Sequence, residues 1–258
     1  MMIIMMTKRI ILAYMNNQLL FLSKNDIPFP EAQVNIHQPT IREIAYISEK
    51  TFFEGCQLLN ISKDILDIED NSDLENISDF EIFMTIMHDA QMRDKANCVL
   101  MLLALLFPNY NIKLEDREII LLQDKGFSKI NQTNFDIFKD IIVSMFDLND
   151  SKETIGDYNP VGKKASKIAE KLRKAKEKIN KINSNNNDNI AVFSRYVSIL
   201  SVGENKDMNE LMDYSVYQLK DEFQRFQKKQ AYDMYISAKM AGAKDLDEVD
   251  HWMDEIHS

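Results

Sequence analysis

The chain has 258 residues and a formal net charge of −10, with 45% hydrophobic and 28% charged residues. These fractions exclude a disordered chain and indicate a globular protein with material for one large domain or two small ones. Six glycines and five prolines favour long helices with few tight turns. Fifteen methionines suit either gap-filling in a helical core or an adaptable surface for partner helices. Two cysteines that form no motif indicate a reducing compartment.

Neither a signal peptide nor a membrane span is predicted. The N-terminal run MMIIMM precedes Lys8 and Arg9, whereas the apolar part of a signal peptide follows its basic residues. The most apolar run, VLMLLALLF at residues 99–107, is much shorter than the about 20 residues that a membrane-spanning helix needs. We therefore expect a cytoplasmic protein in which residues 99–107 form a buried helix.

Residues 1–37 are the part of the chain best suited to β-strands. Three short apolar runs occur there, at Met2–Met6, Ile10–Tyr14 and Leu19–Leu22. Two prolines within residues 27–30 then predict an extended loop or an edge strand, because proline cannot donate to a β-ladder.

The rest of the first half is predicted to be helical with one hairpin. Capping boxes start two helices, one at Thr40 and one at Ser78. The apolar face of the first helix includes Ala45 and continues to Leu59. A further helix should occupy residues 91–107, and Asn134 could cap another. The hairpin pairs Ile112–Leu114 with Glu118–Leu122. Residues 1–150 are thus predicted to form an α-rich domain with a small β portion.

A basic helix is predicted between two polar boundaries, residues 147–160 and the Asn-rich tract 183–189. Residues 161–182 carry nine Lys or Arg against two Glu, a local charge of +7, so the remainder of the chain sums to −17. Apolar residues recur there at heptad spacing, at Val161, Ala165, Ile168, Leu172, Ala175, Ile179 and Ile182. We interpret residues 151–189 as a linker formed by this heptad helix and an Asn-rich hinge.

Residues 190–258 are predicted to form a helical C-terminal module. One helix should carry Ile190, Phe193, Val197 and Leu200 on one face and end at Gly203. A capping box at Ser215 starts a long helix. Its apolar stripe runs through Val216, Leu219, Phe223 and Phe226, then shifts phase to Ala231, Met234, Tyr235 and Ala238 before Gly242. A last short helix carries Leu246, Val249, Trp252, Met253 and Ile256. The whole chain is therefore expected to be mainly α.

Motifs for catalysis or for metal and cofactor binding are absent from the sequence. The four histidines form no metal-binding pair, and no HExxH, CxxC, glycine-rich phosphate loop or GxSxG elbow occurs. Acidic pairs such as Asp67 with Glu69 are expected by chance among 41 acidic residues. We therefore expect no enzyme activity, no catalytic residue, no metal and no cofactor.

Two groups of residues are candidates for partner binding. The first is the cationic surface of the basic helix, represented by Lys163, Lys164, Lys167, Lys171, Arg173 and Lys174. It could contact nucleic acid, an acidic protein or the acidic surface of its own chain. The missing aromatics and the acidic surroundings disfavour nucleic acid. The second group is Tyr217, Tyr235 and Trp252, which suit either core packing or an interface anchor.

Four segments resemble one protein family. They are QPTIREIAYISEKTFF at 38–53, NFDIFKDII at 134–142, YNPVGKKASKIAEKL at 158–172 and AKMAGAKDLDEVDHWMDEIH at 238–257. Together they are similar to the tail assembly chaperones of tailed bacteriophages of Gram-positive hosts. The resemblance implies a non-enzymatic protein of the host cell cytoplasm that binds the tape measure protein, keeps it soluble and helps to recruit tail tube protein.

Two other functions stay open at this stage. A structural component of the phage tail or baseplate would fit the same resemblance. A nucleic-acid-binding regulator would use the basic helix. Self-association also stays open, as does the question of whether the chain is the extended product of a frameshift, because many members of the family are short.

Overall fold

The computed structural model describes residues 18–61, 78–124, 126–148, 191–242 and 249–254. The chain divides into two compact units. The first unit consists of residues 1–148 together with 212–218, and the second consists of residues 149–211 together with 219–258. The predicted heptad helix and the Asn-rich hinge lie outside the described residues.

The first unit is helical with two small antiparallel sheets. Its helices are α1 (Gln18–Leu22), α2 (Ile41–Ile47), α3 (Glu49–Leu59), α4 (Asp79–His88), α5 (Arg93–Leu106) and α6 (Phe135–Phe146). A 3₁₀ turn at Ala90–Met92 precedes α5. Its strands are β1 (Ile27–Phe29), β2 (Val34–Ile36), β3 (Asn111–Glu115), β4 (Glu118–Gln123) and β5 (Gly126–Ile130). The prediction of a mainly α protein with minor β in its first half is confirmed.

The first described segment is a helix, so the strand prediction for Leu19–Leu22 was wrong. Leucine favours helix as readily as strand, and burial of Phe21 on one side of a single turn decides between them. The edge-strand prediction over residues 27–30 is confirmed, because β1 pairs with β2 in a two-stranded sheet. Pro28 lies in β1 opposite Asn35.

Both predicted capping boxes of the first half are present. The Thr40 side chain accepts a hydrogen bond from the backbone of Glu43, and Ser78 does the same for Glu81. The helix that starts at Thr40 breaks at Ser48, whose φ of 75° ends α2 and whose side chain caps α3. Ala45 is exposed, although the sequence pattern placed it on the buried side with Ile41 and Ile44.

Helices α3 and α5 pack closely because a glycine lies at their contact. A Cβ on Gly55 would lie 2.9 Å from the carbonyl oxygen of Cys98 and 3.1 Å from the Cβ of Leu102. Nearby, the Cys98 thiol donates a hydrogen bond to Glu54 at 3.3 Å. Burial, followed by the adjacent Glu54 carboxylate, raises the pKa of this thiol. The cysteine is thus held as a neutral thiol within the packing.

An aromatic cluster forms the centre of the first unit. Its members are buried phenylalanines whose ring centroids lie 5.0–6.5 Å from their neighbours: Phe29, Phe80, Phe83, Phe107, Phe135 and Phe138. At the edge of this cluster, Lys139 donates to Asp79 at 2.7 Å and to the carbonyl of Ile61 at 3.3 Å. One ammonium therefore links α4, α6 and the chain just beyond α3.

The predicted hairpin is confirmed, and a third strand extends it. Strands β3, β4 and β5 form an antiparallel sheet in that order. The third strand was missed because GFSKI offers only two apolar residues. Register supplies the missing information: Ile119 of β4 lies opposite Ile130 of β5, and both are buried.

Asn134 occupies the cap position of α6 but makes no capping hydrogen bond. The side-chain oxygen Oδ1 of Asn134 accepts a hydrogen bond from the backbone N–H of Asn131 at 2.8 Å. The side-chain Nδ2 donates to the backbone carbonyl oxygens of Lys129 and Glu31. The side chain, 5% exposed, therefore binds the loop before the helix and satisfies buried backbone groups there. The predicted buried face of α6 is confirmed.

A segment from late in the chain completes the first unit. Residues 212–218 belong to it, and Ser215 pairs with Thr40 in an isolated antiparallel bridge. The backbone N–H of Ile41 donates to the carbonyl of Tyr214 at 2.9 Å. The predicted capping box of Ser215 and Gln218 is present in the same segment.

The second unit is helical in its described part. It contains α7 (Val192–Glu204), most of α8 (Met208–Met212) and, from residue 219 onward, α9 (Val216–Met240). Phe193, Val197 and Leu200 are buried as predicted. Gly242 follows α9 with a φ of +84°, a left-handed conformation that suits the residue after a helix.

Gly203 does not end α7, contrary to the prediction. The helix continues to Glu204, and Asn205 with a φ of 55° supplies the left-handed cap. Gly203 instead makes room for a ring, because a Cβ at that position would overlap the Phe226 side chain of α9. The absence of a side chain at Gly203 thus allows α7 and α9 to pack closely at this point.

The final segment also differs from the prediction. Residues 249–254 are not helical and form a turn, in which Asp254 accepts a hydrogen bond from the backbone N–H of His251 at 2.9 Å. Such side-chain bonds to the local backbone compete with helix formation. The remaining residues of the predicted last helix lie outside the described part of the chain.

Candidate partner-binding surface

The residues proposed for partner binding fall into three different environments. Lys163, Lys164, Lys167, Lys171, Arg173 and Lys174 lie outside the described residues. Tyr217 is a core residue of the first unit, 5% exposed, with its ring centroid 5.4 Å from that of Phe21. Tyr235 and Trp252 are half-buried residues of the second unit. Among the predicted residues that are described, only the last two offer aromatic surface to a partner.

Tyr235 and Trp252 belong to one continuous row of rings. Tyr235 lies 6.5 Å from Tyr232, Tyr232 lies 4.6 Å from His251, and His251 lies 5.9 Å from Trp252, all measured between ring centroids. We call these four residues the aromatic row. Each of its members is half-buried, so each ring keeps one part on the surface.

The aromatic row is formed by two tyrosines on one face of α9 and by the turn at residues 249–254. Tyr232 and Tyr235 are three residues apart on α9 and therefore share one face of the helix. The turn at residues 249–254 places His251 against Tyr232, and the backbone N–H of Met253 donates to Nδ1 of His251 at 3.2 Å. This bond makes Nδ1 an acceptor, so the imidazole ring is held as the tautomer protonated at Nε2.

The Lys239 ammonium contacts the aromatic row, and three exposed methionines lie in the same two segments of the chain. The ammonium of Lys239 lies 4.6 Å from the centroid of Tyr235, a cation–π distance. Met234, Met240 and Met253 are 67%, 85% and 65% exposed. Among the described residues of α9 none beyond Phe223 is buried. Flexible methionines beside rigid aromatic rings are typical of surfaces that accept apolar partners.

The sequence interpretation missed two members of the row. Neither Tyr232 nor His251 is among the residues that the sequence suggested for partner binding. The signal for Tyr232 was available, since it lies at helical spacing from Tyr235. No local pattern predicts the contact of His251 with Tyr232, because it depends on the chain reversing after α9.

The first unit holds a separate polar cluster around His37. Its Nδ1 lies 3.0 Å from Asp26, and its Nε2 lies 3.3 Å from both carboxylate oxygens of Glu43. Burial raises the pKa of Glu43, but hydrogen bonds from the backbone and side chain of Thr40 and from His37 outweigh burial and leave that pKa below 4.5. The cluster ties the end of β2 to the start of α2. With both imidazole nitrogens engaged by carboxylates, this is a structural contact.

Two further kinds of site have no support among the described residues. No group of three or more His, Cys, Asp or Glu side chains in this part of the chain is placed to hold a metal ion. None of the described helices combines the length and the apolar character needed to cross a bilayer.

The described chain is thus mainly helical, with a row of partly exposed aromatic rings in its second unit. Residues 182–257 match the family model of the YomV second domain, a Bacillus prophage protein family. The match contains the whole aromatic row, and its description does not mention tail assembly. Searches of curated proteins and of solved structures found no match.

Proposed function

We propose that the protein is a phage tail assembly chaperone, without enzyme activity, that binds the tape measure protein and assists assembly of the tail tube around it. The observation that carries the proposal is the match of residues 182–257 to a domain of a prophage protein family. The ordered resemblance of four segments to tail assembly chaperones supports the same conclusion from other parts of the chain.

The aromatic row supports a role in binding an apolar helical client. A tape measure protein is a long helical chain with amphipathic segments, and such segments aggregate unless a partner covers them. Helix-in-groove recognition uses apolar anchors at an adaptable surface. The half-buried rings of Tyr235 and Trp252 supply anchors of this kind, and exposed methionines occur in the same segments.

Co-expression with the tape measure protein of the same phage or prophage tests the proposal. We expect the chaperone to raise the soluble fraction of the tape measure protein and to elute with it as a complex. Replacing Tyr235 and Trp252 together by alanine should reduce recovery of the complex by at least about tenfold, because losing even one strong anchor has that effect.

A matched control separates loss of an anchor from loss of any exposed ring. Tyr46 lies in α2 of the first unit and is 87% exposed, so Tyr46→Ala should leave recovery unchanged. Unchanged solubility of the tape measure protein with the wild-type chain would refute the chaperone function. Finding the protein at a fixed copy number in purified phage particles would instead identify a structural component of the tail or baseplate.

A further inference from the structure

The two tyrosines of the aromatic row lie between two exposed lysines on α9. Lys229, Tyr232, Tyr235 and Lys239 follow one another at intervals of three, three and four residues, the spacing of a single helix face. We propose that this face binds an amphipathic helix whose apolar residues are flanked by carboxylates. The inference rests on the proposed function for the identity of the client, the tape measure protein, and adds the charge of the segment that α9 binds.

The charge on this part of α9 is opposite to that of the chain as a whole. Residues 226–240 carry three Lys against one Asp, a local charge of +2, whereas the chain carries −10. The one carboxylate is that of Asp233, which lies about 100° around the helix axis from Tyr232. Arg225, the next cation toward the N-terminus, donates to Asp221 at 3.2 Å and is not part of the proposed contact. The exposed lysines on either side of the tyrosines are therefore complementary to an acidic partner.

Contact with a ring places one of these cations before any partner arrives. The Lys239 ammonium lies 4.6 Å from the centroid of Tyr235, so a cation–π interaction holds the side chain. A long side chain that is already positioned loses less conformational freedom on binding. A carboxylate that binds Lys239 lies beside the same tyrosine, so the polar and apolar contacts of the partner are made together.

The chain itself places acidic residues next to these rings. The turn at residues 249–254 packs on α9 through His251, whose ring centroid lies 4.6 Å from that of Tyr232. In sequence, Asp250 and Asp254 flank His251, Trp252 and Met253. Rings flanked by carboxylates are thus the chemistry that the chain sets against α9, and the proposed partner brings the same chemistry to the rest of the face.

The distance between the two lysines defines the partner further. Lys229 and Lys239 are ten residues apart, which is about 15 Å along α9. A helix that packs lengthwise on α9 reaches both cations with acidic residues about three turns apart, roughly 16 Å, on one of its own faces. Apolar residues between them meet the two tyrosines, as in other helix-in-groove contacts.

The same geometry disfavours a nucleic acid as the partner. Base stacking needs the open face of an aromatic ring, and His251 covers Tyr232 in an edge contact with an interplanar angle of 65°. Two exposed lysines neutralise few phosphates, so the electrostatic contribution to such binding is small. The net charge of −10 on the whole chain also opposes the approach of a polyanion.

Three synthetic peptides test the charge of the partner on the full-length wild-type chain. Each is an amphipathic helix of about 20 residues, long enough to cover both lysines, with the same stripe of leucines. The peptides differ only in the two positions that flank the stripe, which are Glu, Gln or Lys. Fluorescence anisotropy measures their dissociation constants at low salt and at 1 M salt.

We expect the Glu peptide to bind about tenfold more tightly than the Lys peptide at low salt, because two attractive contacts replace two repulsive ones. The Gln peptide should lie between them. The difference should shrink in 1 M salt, where charges are screened over about 3 Å. Equal affinities of the Glu and Lys peptides at low salt, or no binding of the Glu peptide, would overturn the proposal.

A charge-reversed chain locates the contact. Lys229→Glu with Lys239→Glu should bind the Lys peptide more tightly than the Glu peptide. The control, Lys95→Glu with Lys113→Glu, makes the same change in net charge at two exposed residues of the first unit and should keep the preference of the wild type. Circular dichroism checks that both variants are folded. The same change of preference in both variants would overturn the proposal, because net charge alone would then explain it.

If the charge-reversed chain fails to fold, Lys229→Gln with Lys239→Gln replaces it. That variant should bind the three peptides equally, and an undiminished preference for the Glu peptide would overturn the proposal. Tighter binding of a single-stranded DNA of about 20 nucleotides than of the Glu peptide, lost when the two lysines are replaced, would also overturn it in favour of a nucleic-acid surface.

The outcomes for the charge of the partner and for the chaperone function are separable. A chain that keeps the tape measure protein soluble but does not distinguish the peptides retains the proposed function and overturns this inference. A chain that prefers the Glu peptide but leaves the tape measure protein insoluble supports the acidic partner and refutes the chaperone function.

Discussion

Replacing Tyr217 by alanine tests whether this residue is a core residue of the first unit or an interface anchor. The ring is 5% exposed and packs on Phe21. Truncating a buried aromatic residue to alanine costs about 3–5 kcal/mol, which includes the cavity left behind, and an aromatic pair adds about 0.5–1.5 kcal/mol beyond the buried area. We therefore expect Tyr217→Ala to lower the free energy of unfolding of the first unit by about 4 kcal/mol.

Two measurements check this prediction. Urea titration followed by far-UV circular dichroism gives the change in unfolding free energy. The Ile41 amide donates to the carbonyl of Tyr214. Its hydrogen exchange therefore reports whether residues 212–218 still pack against the rest of the first unit. Tyr217→Phe keeps the ring and should stay within about 1.5 kcal/mol of the wild type. Tyr46→Ala, an exposed control, should change stability by less than about 0.5 kcal/mol. A cost below about 1 kcal/mol for Tyr217→Ala, with normal protection at Ile41, would refute the core assignment.

Three further predictions concern packing and charge. Gly203→Ala should destabilise the second unit by about 1–3 kcal/mol in urea titration, despite the better helix propensity of alanine. Gly126→Ala is the control and should be neutral, because a Cβ at Gly126 meets no atom within 4 Å. Equal effects of the two substitutions would argue against steric overlap at Gly203. Glu43→Gln should reduce the loss of unfolding free energy that occurs below pH 4.5. The Glu43 carboxyl has a folded pKa below 4.5, so it stabilises the fold above that pH and ceases to do so as the pH falls through its folded pKa. The same loss of unfolding free energy in the variant and the wild type below pH 4.5 would contradict this. Lys139→Met should cost about 1–2 kcal/mol, and adding Asp79→Asn should recover part of it in a double-mutant cycle.

Capping and periodicity account for what the sequence predicted well. The three capping boxes, at Thr40, Ser78 and Ser215, all have the predicted geometry. Each depends on residues three positions apart, so the signal is complete within one turn. The buried face of α6 is likewise local, because apolar side chains at helical spacing have only one way to face a core.

The errors occur where one local pattern fits two structures. Leu19–Leu22 suits a strand or a helix, and burial of Phe21 selects the helix. Gly203 suits a helix end or a close contact, and the Phe226 ring selects the contact. The apolar residues of the predicted last helix suit a helix, but hydrogen bonds of Asp254 and Met253 with His251 stabilise a turn at residues 249–254. In each case the deciding contact or burial exists only in the folded chain, and spacing along the sequence does not record it.

The sequence by itself determined that this protein is mainly helical, where most described helices begin, and which residues could contact a partner. Only the tertiary structure decided how those residues are used. Tyr217, Tyr235 and Trp252 are all aromatics of the C-terminal part of the chain, yet the fold buries the first against Phe21 and leaves the other two partly on the surface. The physical reason is that a side chain's exposure depends on which distant segments pack against it, and neither spacing nor composition records those contacts.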